Sequence, residues 1–260
     1  MNFAIVMLQM KSRIYKKAAV CILFCLFLIP SIAFSGQFRV TPIRLDFDRG
    51  SKSGVITIVN EGGDRLNVQM RAFEWTQNGD GKDQYTETND IIFFPRIMTL
   101  EKSEEKILRA GIRIPATTKE KTYRLFIEEI PEPRKAEGVN VAIAIRFGVP
   151  IFVKPLKEEV KGEIEKIDLS KGVLSVLVKN IGNAHFIINA IDIKGRNVKG
   201  EEIFSKELSG WYLLSGVSRH YTISIPQEVC KALSRLDIEV KTDRFKLNGK
   251  LDVDQAMCIP

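Results

Sequence analysis

The feature that most constrains the fold is one long alternating run, NVAIAIRFGVPIFVKP, from Asn140 to Pro155. Starting at Val139, every second residue is apolar, and Phe152 is the one large apolar residue among those between. A period of two is typical of a β-strand with one buried face. Ordinary strands have about 5–6 residues, whereas this run predicts about 15 residues, or roughly 50 Å of strand. A single small domain seldom has a face that long, so the sequence raises the question of what covers the rest.

The first 35 residues are typical of a secretory signal peptide. The segment begins with a basic patch and continues with the apolar run AAVCILFCLFLIP and the small residues SIAFSG; the basic residues are Lys11, Arg13, Lys16 and Lys17. We expect cleavage near Ser35, with Met1 or Met10 as the start. About 13 apolar residues are short for a membrane span of ~20. Export with cleavage is therefore favoured over a retained anchor, and we expect no stable membrane insertion.

Removing this leader changes the cysteine and charge counts. Cys230 and Cys258 are the two cysteines left, and in an oxidising compartment one disulfide is the simplest arrangement for them. The four basic residues leave with no acid, so the formal net charge falls from +7 to +3 and no longer indicates a nucleic-acid partner. Without CxxC or HExxH motifs, and with two distant histidines, the sequence predicts no metal site and no cofactor.

Short strand-like runs separated by Gly-, Asn- and Asp-rich turns fill the remaining chain, among them RVTPIRLDF, VITIVN and LNVQMRAFEW. This spacing predicts an all-β protein built from sandwiches. The charged segment KPLKEEVKGE indicates a linker or a domain corner. We therefore expect a signal peptide over 1–35, a first immunoglobulin-like domain with the long strand over 36–157, and a second immunoglobulin-like domain over 158–260.

Motifs of catalysis are missing from the sequence. It contains no GxSxG and no phosphate-binding GxxxxGK[ST] motif. His185 and His220 are isolated at predicted strand edges, where a structural or solvated role is the usual one. Adjacent acidic residues such as Glu128 and Glu129 point to opposite faces of a strand, so they cannot act together as an acid–base pair. We do not expect an enzyme.

Two features go beyond an ordinary sandwich. Arg44 interrupts the apolar N-terminal run TPIRLDF; it lies on a solvated face or it anchors a carboxylate, which a guanidinium binds in bidentate fashion. The long strand is either covered within its own domain or is an edge that pairs with another chain. Because long apolar edges promote aggregation and are normally blunted, an exposed edge here would serve a purpose.

Several runs together carry a family resemblance. The sequence resembles the PapD-like periplasmic pilus chaperones, and most of all the archaic, spore-coat-type branch of the chaperone–usher pathway. The runs that carry the resemblance occur in the order and spacing of that family: TPIRLDFDRGSKSGVITIVNEG, YRLFIEEIP, VAIAIRFGVPIFVKP and LVKNIGNAHF. The resemblance implies two immunoglobulin-like domains in an L or boomerang arrangement, a periplasmic location, and pilus or fimbrial subunits and an outer-membrane usher as partners. It also implies donor-strand complementation, in which the chaperone lends a strand to an incomplete subunit.

The resemblance assigns the early half of the long strand to the subunit. Val141, Ile143 and Ile145 would be inserted into the subunit's groove, with Val139 and Phe147 as extensions. The later part, 149–153, would stay in the chaperone's own core.

Arg44 falls on the family's cleft arginine, which binds the subunit's C-terminal carboxylate. The lysine that accompanies it in the better-known branch falls at Pro150, which cannot bind a carboxylate, and Arg146 or Lys154 are the candidate substitutes.

An interdomain salt-bridge network is also implied, with Glu120, Lys154 and Asp243 as members; the alternative is that these are ordinary surface charges. The alternative to the chaperone is a structural or adhesive immunoglobulin-like surface protein in which both sandwiches are complete. A homodimer that caps the free edge is left open by the sequence, as are the subunit and the pilus type.

Overall fold

The computed structural model describes residues 38–131 and 144–259. The strands of the first half, in chain order, are β1 (Phe38–Thr41), β2 (Leu45–Phe47), β3 (Ser53–Asn60), β4 (Leu66–Gln77), β5 (Asp83–Glu87), β6 (Ile91–Phe94), β7 (Ile97–Leu100), β8 (Glu105–Ile112), β9 (Lys121–Glu129) and β10 (Arg146–Val153). The elements of the second half are β11 (Gly162–Ser170), β12 (Val173–Asn180), β13 (Phe186–Arg196), β14 (Glu202–Ser209), β15 (Tyr212–Leu213), β16 (Ser218–Ser224), α1 (Gln227–Ala232), β17 (Arg235–Thr242), β18 (Lys246–Asp252) and a 3-10 helix (Gln255–Cys258).

The first ten strands form a sandwich of two sheets. One sheet has the order β1-β3-β8-β6, and the other has the order β2-β10-β9-β4-β5, with β7 also paired to β4. The pairs within both sheets are antiparallel except that of β10 with β2, which is parallel. The apolar residues between the sheets form one core, which includes Ile56, Leu108, Leu125, Ile127 and Ile151.

Alternation along β10 decides which side chains enter this core. Val149, Ile151 and Val153 are buried in it, as a period of two requires. Phe152, the apolar exception in the sequence, points to the opposite face of the sheet, where it packs against Trp75 and Leu214. This second apolar surface joins the first sandwich to the second.

The remaining strands form a second sandwich with its own core. Its sheets have the orders β11-β12-β16 and β14-β13-β17-β18, and β15 pairs with β13. The buried residues between them include Leu174, Val176, Phe186, Ile193 and Val240. The predicted all-β class with two immunoglobulin-like sandwiches is thereby confirmed.

Both sandwiches use the same asparagine corner at the end of a strand. The Asn60 side-chain amide donates to the Leu100 carbonyl (3.1 Å), and its oxygen accepts from the Gly62 amide (2.9 Å). Asn180 makes the equivalent bonds in the second sandwich, including one to Gly182 (2.9 Å). Because both asparagines are buried, these bonds satisfy polar groups that would otherwise be costly.

A disulfide closes the C-terminal end of the second sandwich. Cys230 in α1 and Cys258 in the 3-10 helix are bonded, with Cα atoms 5.7 Å apart. Both residues are buried in the core of that sandwich, so the predicted pairing is confirmed. Among the described residues, no helix is long and apolar enough to cross a membrane.

Candidate functional site

The long strand β10 has one half enclosed and one half with a free edge. On one side, all of Arg146–Val153 pairs with β9. On the other side, Ile151–Val153 pairs with Leu45–Phe47 of β2, and within the described residues no pairing continues over 146–150. Residues 144 and 145 connect this free stretch to 132–143, which lies outside the described residues.

The hydrogen-bond pattern shows which groups face this free edge. The Glu129 amide donates to the Ile145 carbonyl (2.9 Å), so odd-numbered residues of the strand bond to β9. In an antiparallel pair the residues between them direct their N–H and C=O groups the other way. Arg146 and Gly148 therefore present backbone groups to the free edge, and Pro150, which has no N–H, marks its end.

The predicted donor residues fall into two groups. Val139, Val141 and Ile143 lie outside the described residues. Ile145 and Phe147 are half-buried and pack against the core of the first sandwich, with the Phe147 ring 5.2 Å from that of Phe38 in an edge-to-face contact. These two side chains are therefore partly covered by their own domain.

Arg44 lies just before β2 and is already paired within the chain. Its Nε and Nη2 donate to the two carboxylate oxygens of Asp46 (2.8 and 2.6 Å), and its guanidinium lies 4.7 Å from the centre of the Phe152 ring. Burial acts to lower the pKa of Arg44, but the hydrogen bond to Asp46 and its charge outweigh burial, so the pKa is raised. The guanidinium fork that would hold an external carboxylate is thus occupied by Asp46.

The two candidate substitutes for the missing lysine differ in their surroundings. Arg146 is bonded to Glu128 (2.6 Å), and its guanidinium stacks 3.6 Å from the centre of the Phe126 ring. Lys154 donates its backbone N–H to Phe47 (2.8 Å), and among the described residues its ammonium has no carboxylate within salt-bridge distance. Among the described residues, neither side chain forms a salt bridge with a carboxylate outside the first sandwich.

The three residues predicted for the interdomain network are not bonded to one another. Glu120 is buried and accepts from the backbone N–H of His185 (2.9 Å), and the Nδ1 atom of His185 lies 2.8 Å from the same oxygen. This contact does join the two sandwiches. Asp243 instead accepts from the Ile187 amide within the second sandwich (2.8 Å), and Lys154 takes no part in either bond.

An aromatic cluster surrounds this contact. The His185 ring stacks on Phe152 with centroids 3.6 Å apart, and Trp75 packs edge-on against Tyr212 of the second sandwich (5.3 Å). The Gln77 side chain donates to the Tyr212 carbonyl (2.9 Å) and accepts from the Leu214 amide (2.9 Å). Apolar burial and satisfied hydrogen bonds together fix the contact between the sandwiches.

Beside the free edge lies a buried cation that we did not single out in the sequence. Arg124 of β9 pairs in register with Pro150, its guanidinium lies 3.9 Å from the centre of the Trp75 ring, and its Nη1 donates to the Gly148 carbonyl (2.9 Å). One sequence signal was available: Arg124 interrupts the apolar run YRLFIEE as Arg44 interrupts TPIRLDF. The described residues contain no cluster of three or more His, Cys, Asp or Glu side chains suited to a metal.

The fold and this edge define a two-sandwich β-protein with one stretch of strand free to pair. Residues 37–158 match the family described as pili and flagellar-assembly chaperone, PapD N-terminal domain. The chain is also 23% identical over 175 residues to the chaperone protein FanE of Escherichia coli, an alignment that covers 63% of this chain and 71% of FanE.

Solved structures share the fold across most of the chain. A chain of the CsuC–CsuE chaperone–tip adhesion subunit pre-assembly complex, from the archaic chaperone-usher Csu pili of Acinetobacter baumannii, is 20% identical with a TM-score of 0.58, covering 82% of this chain and 98% of that one. The CupB2 chaperone of Pseudomonas aeruginosa is 14% identical with a TM-score of 0.51, covering 83% and 100%. The match over 37–158 identifies the first sandwich as a PapD-type N-terminal domain of a pilus-assembly chaperone, and the described chain as a whole has the fold of these solved chaperones.

Proposed function

We propose that the protein works in the periplasm, captures pilus or fimbrial subunits by donor-strand complementation, and delivers them to an outer-membrane usher. The observation that carries the proposal is the free edge of β10 over Arg146–Pro150, which continues directly from the alternating run 139–145. The resemblance of that run to the archaic branch, together with the CsuC-like fold, supports placing the protein in that branch.

The chemistry of a strand edge suits this task. Main-chain hydrogen bonds give affinity for an added strand, and alternate side chains entering pockets give specificity. Burying a Val or Ile side chain stabilises a complex by about 1.5–3 kcal/mol. Val141, Ile143 and Ile145 together can therefore hold a subunit whose own core is incomplete, and another strand can replace them stepwise at the usher without ATP.

In this proposal Pro150 is the point at which the captured strand meets the chaperone's own β2. Arg44, the predicted cleft cation, precedes Leu45, the residue of β2 that pairs with Ile151. Arg124 flanks Pro150 on the β9 side. Two guanidiniums thus lie on the two sides of the end of the free edge, in a position suited to an anionic chain end.

The test is native mass spectrometry of the protein purified from the periplasm of its own host. The expected result is a 1:1 complex with a small secreted β-protein, and Ile143→Asp should abolish that complex while leaving the free chaperone folded. Ile107→Asp is the matched control, because Ile107 is an exposed isoleucine of β8 in the other sheet.

Two results would contradict the proposal. Unfolding of the Ile143→Asp variant would place Ile143 in the protein's own core. A lone monomer that protects no subunit would favour the structural or adhesive surface protein. The partial burial of Ile145 and Phe147 against the first core is consistent with that alternative.

A further inference from the structure

The outer side of the β1-β3-β8-β6 sheet carries an exposed apolar surface. Strand alternation sends Ile56, Ile91 and Leu108 into the core of the first sandwich, so the residues next to them in sequence point away from that core. Phe94 of β6 is the most exposed of these, at 75%. The apolar side chains of this surface, here named the outer patch, are Val55, Ile92, Phe94 and Ile107.

The strand register joins these side chains into one patch. Phe94 pairs with Arg109, and Arg109 pairs with Val55, so these three residues lie in one row across β6, β8 and β3. Ile92 lies two residues from Phe94, and Ile107 lies two residues from Arg109, on either side of that row. The backbone beneath the patch therefore measures roughly 10 Å by 13 Å. Arg109 is a cation surrounded by apolar side chains.

The segments that contribute to this surface are strongly basic. Residues 49–55, 91–97 and 106–114 contain six Lys and Arg residues and no Asp or Glu. They contribute +6 to a formal net charge that is +3 for residues 36–260, which leaves −3 for all other residues of that span. Lys106 is paired with Glu104 (3.2 Å). Within the described ranges the other five have no carboxylate within salt-bridge distance: Arg49, Lys52, Arg96, Arg109 and Arg113.

Two of these cations lie at one end of the outer patch. Lys52 directly precedes β3 and Arg113 directly follows β8, and both are exposed. Because β3 and β8 are antiparallel, these two strand ends lie side by side, and the Ile112 amide donates to the Lys52 carbonyl (3.0 Å). Positive charge and exposed apolar surface are therefore on the same side of the molecule, where exposed apolar patches mark sites of contact with proteins or membranes.

An anionic phospholipid bilayer has the chemistry that matches this combination. Phosphate groups and acyl chains lie next to each other in its interfacial layer, so apolar side chains enter the acyl boundary while neighbouring cations bind phosphate. The long stem of an arginine lets its guanidinium reach the phosphates from an apolar surrounding. A second copy of the chain would instead bring Arg109 and Arg113 close to the same cations of its partner, which is unfavourable.

We propose that the outer patch docks the protein reversibly on an anionic phospholipid membrane, with Phe94 in the boundary between headgroups and acyl chains and Arg109 on the phosphates. The free edge of β10 belongs to the other sheet of the first sandwich, so docking leaves that edge open to a subunit strand. The inference goes beyond the proposed function and does not depend on it.

The test measures binding of the mature chain to vesicles by flotation. One kind of vesicle contains phosphatidylcholine alone, and the other contains equal parts of phosphatidylcholine and phosphatidylglycerol. Arg109→Gln and Phe94→Ser change the outer patch. Lys206→Gln and Val198→Ser are the matched controls, because both residues are exposed in the second sandwich. Each variant is used only after urea unfolding has shown a wild-type midpoint.

The wild type should bind the anionic vesicles at least about twentyfold more tightly than the neutral ones, since each Lys or Arg near an anionic surface strengthens binding about fivefold. Arg109→Gln should weaken this binding about fivefold, and Phe94→Ser about tenfold, because the ring no longer leaves water. The two controls should stay within about twofold of the wild type, since charges more than about 10 Å from the membrane are screened.

A second readout follows the patch directly. Phe94→Trp places an indole in the outer patch, whereas Trp75 is buried and Trp211 contacts the second sandwich. Brominated phospholipids in the anionic vesicles should quench the fluorescence of this variant more than that of the wild type, because the bromine atoms lie on the acyl chains. Equal quenching of the two proteins would place residue 94 outside the lipid and would overturn the inference.

Further outcomes would also overturn it. Equal binding to both kinds of vesicle, or no binding to either, would remove the anionic membrane as the partner. A loss in Lys206→Gln as large as that in Arg109→Gln would mean that the vesicles attract only the net charge. A wild type that sediments as a dimer, dissociated by Phe94→Ser, would assign the patch to a second copy. Binding to the purified usher that Phe94→Ser abolishes, without vesicle binding, would assign it to a protein. None of these results affects the proposed function, which is tested at the free edge.

Discussion

The two halves of β10 share one alternating pattern and have opposite surroundings. Over Ile151–Val153 the strand is paired on both sides, and its apolar side chains are buried in the first sandwich. Over Arg146–Pro150 the described residues pair it on one side only; Val149 is still buried in the core there, while Phe147 is half-buried. Alternation therefore indicates that a strand has an apolar face, but the neighbouring strands decide whether that face serves stability or binding.

The largest effect should follow from a charge in the enclosed half. Ile151→Asp places a carboxylate in a fully buried position, and a buried unpaired charge destabilises a fold by about 4–5 kcal/mol or more. The first sandwich should lose its cooperative transition in urea unfolding. A variant that keeps the wild-type midpoint would show that this half of the strand is not part of the core.

A smaller effect should mark the boundary between the halves. Phe147→Ala removes a half-buried ring and its edge-to-face contact with Phe38, and we expect a loss of about 2–3 kcal/mol, less than for a fully buried Phe. The free energy of unfolding from urea titration is the measurement. A loss below about 0.5 kcal/mol, the range of surface substitutions, would move Phe147 into the group that serves the captured subunit.

The smallest loss of stability should come from a change in the contact between the two sandwiches. There Phe152 of β10 stacks on His185, and His185 is bonded to Glu120. Glu120→Gln keeps an oxygen for the His185 amide but removes the charge from both bonds. Charge-assisted hydrogen bonds are about twice as strong as neutral ones, so we expect a loss of about 1–2 kcal/mol in urea unfolding.

Glu87→Gln, at an exposed glutamate of β5, is the matched control for this change. An equal effect of the two substitutions would mean that Glu120 contributes no more than a surface charge.

Much of the fold could be predicted from the sequence because it follows from local pattern. Period-two runs and turn residues predicted the strands and the all-β class, and the two cysteines that remain after the predicted signal peptide predicted the Cys230–Cys258 bond. These features depend on neighbours in the sequence or on the compartment. They need no knowledge of which strands meet.

The site could be predicted only in part, because it depends on contacts between distant segments. The sequence singled out Arg44 but not Asp46 as its partner, and it singled out Glu120 but not His185. Arg124 carried the same signal as Arg44, a charge within an apolar run. Its importance appears only when the register places it beside Pro150. The roles of Val139, Val141 and Ile143 remain predictions.

Hydrogen exchange on the purified chaperone–subunit complex tests the central claim most directly. In the free protein the amides of Arg146 and Gly148 face the free edge and should exchange rapidly, while the Phe147 amide, bonded to β9, should be protected. Capture of a subunit strand should protect Arg146 and Gly148 and leave Phe147 unchanged. Amides that exchange equally fast in the complex would contradict pairing on this edge, and so the account of how the protein holds its subunits.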